Sequence, residues 1–135
     1  MNVSMLRVCL LLIAIVFIQG CRTAPLMNVT DSGINPGSGK EATLQEVTQA
    51  ILGAATSTRP AWSMNVIKPG HILATLYNRS HMAAVDITYT TTSYNIAYKE
   101  STNLKYDAEG PTIHANYNSW IQNLDTAIKG QLNAI

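Results

Sequence analysis

Four short runs between Trp62 and Tyr98 carry an apolar residue at every second position. They are Trp62, Met64 and Val66; Ile72, Ala74 and Leu76; Ala83, Val85, Ile87 and Tyr89; and Tyr94, Ile96 and Tyr98. Period-2 alternation marks strands buried on one face. Lys68-Pro69-Gly70, Asn78-Arg79-Ser80-His81 and Thr90-Thr91-Thr92-Ser93 separate the runs and supply turns. The changes of parity constrain the pairing. A hairpin that sets Tyr89 opposite Tyr94 also sets Ile87 opposite Ile96 and Val85 opposite Tyr98, all on one side. The same rule sets Ala74 opposite Val85 and Met64 opposite Ala74. One apolar layer then crosses four antiparallel strands joined as a meander. β-Branched threonines resist φ > 0, so the loop after Tyr89 is expected to hold four residues rather than a tight two-residue turn. Leu104 and Tyr106 alternate again and leave room for a short fifth strand.

Helical periods flank this region. Thr43-Leu44-Gln45-Glu46 fits a capping box, and Leu44, Val47, Ile51 and Ala54 follow at helical spacing. Gly53 weakens the last turn and Arg59-Pro60 closes the segment, which predicts a helix from Leu44 to about Ala55. After Gly110-Pro111, Thr112 is expected to cap a second helix. Its apolar stripe is Ile113, Tyr117, Trp120, Ile121, Leu124, Ile128 and Leu132. Two amphipathic helices around a one-faced sheet predict an α+β two-layer sandwich, in the order α-β-β-β-β-α, with both helices on the apolar face.

The front of the chain has another character. Met1 to Arg7 carries one cation, and Val8 to Ile18 is apolar, the length of a signal h-region and short for a membrane span. Ile18-Gln19-Gly20-Cys21 then resembles the lipobox of bacterial lipoproteins, in which the cysteine takes a diacylglycerol and the bond before it is cleaved. The resemblance implies a signal peptide over 1–20, lipidation of Cys21 and attachment to a membrane through acyl chains. Arg22, standing where an aspartate would mark inner-membrane retention, implies the inner leaflet of the outer membrane, facing the periplasm. Gln19 departs from the commoner Ala or Ser. The ordinary alternative is a secreted protein whose first mature residue is Cys.

Residues 21–42, rich in Gly, Ser, Pro, Asn and Thr without a helical period, read as the lipidated cysteine and a flexible tether reaching roughly 25 Å. Within them Leu26-Met27-Asn28-Val29 could add to a sheet edge. Residues 43–135 form the folded domain. With Cys9 lost alongside the signal, Cys21 is the only remaining thiol, so the domain is held by packing rather than by an internal disulfide.

From Trp62 onward the chain also resembles a family of small bacterial lipoproteins of unassigned function. The pattern is carried by Leu76-Tyr77-Asn78-Arg79-Ser80-His81, Val85-Asp86-Ile87-Thr88-Tyr89, Tyr94-Asn95-Ile96-Ala97-Tyr98, Ser101-Thr102-Asn103-Leu104 and the stretch Ile113 to Ile121. It implies a location and a compact α+β domain, with no activity attached.

Removing Arg7 with the signal leaves eight cations against eight acids, and no basic stripe points to nucleic acid. His71, His81 and His114 show no paired metal spacing, and neither a phosphate loop nor a nucleophile elbow is present. No cofactor and no catalytic residue is therefore assigned, and a hydrolase with an unrecognised site ranks last. The favoured expectation is an envelope binding or structural module, ahead of an inhibitor of a secreted hydrolase or toxin. The register turns Leu73, Thr75, Tyr77, Ala84, Asp86, Thr88, Ala97 and Lys99 away from the apolar face. Leu73 and Tyr77, with Arg79 and His81 at the rim, are the expected contact with another envelope protein or a second copy.

Overall fold

A computed structural model describes residues 22–135. The signal segment and Cys21 lie outside the described residues. The elements run β1 (Thr23–Pro25), β2 (Val29–Gly33), α1 (Leu44–Ala54), β3 (Ser63–Lys68), β4 (His71–Asn78), β5 (His81–Tyr89), β6 (Ser93–Thr102), β7 (Thr112–His114) and α2 (Ala115–Asn133).

The meander has the register that parity demands. Tyr89 faces Tyr94, Ile87 faces Ile96 and Val85 faces Tyr98, while Ala74 faces Val85 and Met64 faces Ala74. The threonine run closes its loop with side-chain chemistry. The Thr90 hydroxyl accepts the amides of Thr92 and Ser93 at 3.1 and 3.2 Å, holding four residues between the last cross-strand pair.

The sheet has five strands, in the order β2-β6-β5-β4-β3, where four were expected. The additional strand comes from the segment read as a tether. Val29 pairs with Ile96 and Ser32 with Tyr94, antiparallel and with a shift of register between them. Leu104 and Tyr106 do not form a fifth strand, because Asn103 and Lys105 take φ of 58° and 53° and interrupt the extended backbone. Leu104 instead enters the core, and the Tyr106 ring stacks on Tyr98 at 4.2 Å.

Residues 22–42 are thus part of the domain, which corrects the reading of a flexible tether. β1 pairs antiparallel with β7, setting Thr23 opposite His114 and Pro25 opposite Thr112. Ile34 and Ala42 are buried, and Leu26, Met27 and Val29 pack against the core. Scattered apolar side chains in a polar segment fill the gaps left at the margin of the sheet.

α1 begins with the expected reciprocal cap. The Thr43 hydroxyl accepts the Glu46 amide at 3.2 Å, and Glu46 accepts the Thr43 amide at 2.8 Å. α2 starts later than expected. Thr112 is held in β7 by paired backbone bonds to Asp107, each 2.9 Å, and the cap is His114, whose Nδ1 accepts the Asn116 amide at 3.1 Å. Both helices lie on one side of the sheet, and two hydrogen bonds tie them there. Thr48 of α1 meets the Tyr89 hydroxyl at 2.8 Å, and Tyr94 donates to Asp125 of α2 at 2.5 Å. The core between the layers joins Ile72, Leu76, Val85, Ile87 and Ile96 to Val47, Ile51, Tyr117, Ile121 and Leu124.

Candidate functional site

With both helices on one side, nothing among the described residues covers the other face of the sheet. Strand alternation brings His71, Leu73, Thr75 and Tyr77 of β4 onto it, beside Met82, Ala84, Asp86 and Thr88 of β5. Tyr77 is 71% exposed, and Leu73, four residues along the same strand, is half-buried. Met82 pairs directly with Tyr77 and extends the apolar surface. It was missed in the sequence because it precedes the clear alternation, although its parity matches. Ala84, paired with Thr75 on one side and Glu100 on the other, contributes little to this surface at 2% exposure.

A charged cluster sits at the other end of the same strands. His71 Nε2 lies 2.6 Å from Asp86 Oδ1, and Lys99 Nζ lies 3.7 Å from Asp86 Oδ2. A carboxylate only accepts, so Nε2 of His71 carries the proton between them. Lys99 reaches Asp86 because β6 bulges there. Ala84 pairs with Glu100 and Val85 with Tyr98, leaving Lys99 as the extra residue. The three groups stand on an open sheet surface, with side-chain exposures of 24%, 28% and 46% for His71, Asp86 and Lys99.

Arg79 lies in the β4–β5 turn with φ of 57°, and His81 opens β5 just after it. His81 donates from Nδ1 to the Asn103 carbonyl at 2.7 Å, and Asn103 donates to the Ser80 hydroxyl at 2.9 Å. The rings of His81 and His114 come together, with centroids 6.4 Å apart. They do not make a metal pair. His114 uses its Nδ1 lone pair on the Asn116 amide, so its Nε2 carries a proton when neutral. Among the described residues no three His, Cys, Asp or Glu side chains gather to hold an ion.

A groove of about 660 Å³ opens on the helical layer between the first turns of α1 and the end of α2, lined by Gln45, Glu46, Gln49, Gln131 and Ile135 among others. Glu46 is its sole acidic residue and is engaged in the helix cap. Among the described residues no helix is long and apolar enough to cross a membrane. No family model, curated protein or solved structure matches the chain.

Proposed function

We propose that this chain is a lipid-anchored protein of the bacterial cell envelope whose domain faces the periplasm as a binding or structural module. The observation that carries the reading is the lipobox-like Ile18-Gln19-Gly20-Cys21 behind an 11-residue apolar run. Two or three acyl chains on Cys21, at roughly 0.8 kcal/mol per buried methylene, make an effectively permanent anchor. The finer assignment to the inner leaflet of the outer membrane rests on Arg22 after the cysteine. The two-layer fold supports the module reading, because a sheet with one uncovered face offers a broad, rigid surface. On that face Leu73, Tyr77 and Met82 form an apolar patch, with Arg79 and His81 at its rim, suited to another envelope protein.

The test of the anchor is Cys21→Ser in cells fed labelled palmitate. The expected outcome is loss of label and accumulation of an uncleaved or soluble form. Equal labelling of wild type and variant would overturn the reading.

A further inference from the structure

The β1–β7 pairing has a consequence for any lipid carried by Cys21. Arg22, the next residue, is already held, because its carbonyl accepts the Ala115 amide at 3.0 Å. One residue further, Thr23 pairs with His114. The Cα of Cys21 is a single peptide unit, about 3.8 Å, from that of Arg22. A lipid on Cys21 is therefore joined to the folded domain with no intervening slack.

Cations gather at this end. His114 donates its amide to the Leu104 carbonyl at 2.8 Å, and its ring stands beside His81, which is bonded to Asn103. These bonds draw the start of α2, the chain at 103–105 and the β4–β5 turn around Arg22. Arg22, Arg79 and Lys105 are all exposed there. Asp107 follows Lys105 by two residues, so the acids of the 107–109 loop border the cations on one side. Asp107 is bonded to Thr112, which pairs with Pro25, three residues or about 10 Å along β1 from Arg22. Glu100 lies on the open sheet face, opposite Ala84.

We infer that this end of the domain, presenting Arg22, Arg79 and Lys105, lies directly on the bilayer and contacts the headgroups of anionic phospholipids. The inference rests on the lipidation proposed above and adds an orientation to it. Each cation near an anionic surface favours the bound arrangement by about fivefold. His114, with a proton on Nε2, adds a donor of the kind phosphate oxygens accept. β4 then leads away from the membrane, carrying the His71–Asp86–Lys99 cluster outward. The Lys68–Gly70 turn stands about 23 Å further along the strand than the Asn78–His81 turn.

The experiment uses the full-length lipoprotein, purified from cells and placed in phosphatidylethanolamine vesicles containing phosphatidylglycerol and a headgroup quencher. The sulfur of a lipidated Cys21 is a thioether, so a fluorophore attaches only to an introduced cysteine, Asn116→Cys or Lys68→Cys. Mass spectrometry first establishes the acyl chains. Quenching several-fold greater at position 116 than at 68 is expected. A Gly/Ser insert of about 15 residues between Cys21 and Arg22, spanning roughly 20 Å, should erase the difference. Arg79→Gln with Lys105→Gln should lower it toward the level found without phosphatidylglycerol, Arg22 alone remaining. Equal quenching at the two positions in acylated protein would overturn the orientation and leave lipidation standing. Protein without acyl mass would overturn both.

Discussion

Tyr94→Phe tests how the sheet is joined to its helical layer. The Tyr94 ring is fully buried, and its hydroxyl donates to Asp125 Oδ1 at 2.5 Å, while Lys129 holds Oδ2 at 2.7 Å. A hydrogen bond to a charged group contributes about 1.5–3 kcal/mol. Asp125 keeps Lys129 in the variant, so its carboxylate is not left alone, and a loss near 1.5–2 kcal/mol is expected. Urea unfolding at neutral pH would resolve that against a total of roughly 5–15 kcal/mol. The same phenol gives a second readout. Burial, followed by the bond to Asp125, pushes its pKa well above the ordinary value of 10.0, with the Ser32 hydroxyl opposing part of the rise. Burial, with a smaller contribution from Tyr98, does the same for Tyr117. Above about pH 10 the unfolded chain loses these protons and the native chain keeps them, so stability is full below that pH and falls above it. Each tyrosine steepens the fall by up to about 1.4 kcal/mol per pH unit. Wild type should therefore lose up to about 2.7 kcal/mol per unit from these two groups, and Tyr94→Phe about half of that. An unchanged urea midpoint at neutral pH, or an alkaline slope equal to that of wild type, would refute the role assigned to this bond.

Trp120, 7% exposed in the middle of the α2 stripe, should cost about 3–5 kcal/mol on replacement by alanine, read as a lowered denaturant midpoint. A midpoint that hardly moves would show that α2 does not depend on this ring to dock. Leu73→Glu with Tyr77→Glu should abolish capture of an envelope partner or a dimer by the anchored protein, with thermal unfolding nearly unchanged. Association retained in that double variant would exclude the patch as the contact.

What could be read from the chain follows the range of the forces involved. The pairing of Tyr89 with Tyr94 and Ile87 with Ile96 was legible because side chains alternate across a strand, and a slip of one residue would turn the buried set toward water. α1 was legible because its capping box lies within four consecutive residues. β1 and β7 were not legible. Each has three residues, too few to display a period, and Thr23 meets a partner 91 positions away at His114. β2 was hidden in the same way, among Gly, Ser and Asp, with Asp31 at φ of 51° breaking its register. Of the residues on the open face, Leu73 and Tyr77 followed from parity alone. The pairing of His71 with Asp86 required two strands to be in place before the imidazole could reach the carboxylate. Local order thus sufficed for the meander and for both helical stripes, because each depends on neighbours in sequence. Only the tertiary structure decided that residues 22–42 belong to the domain, since their burial and hydrogen bonds exist only once the rest of the chain has folded.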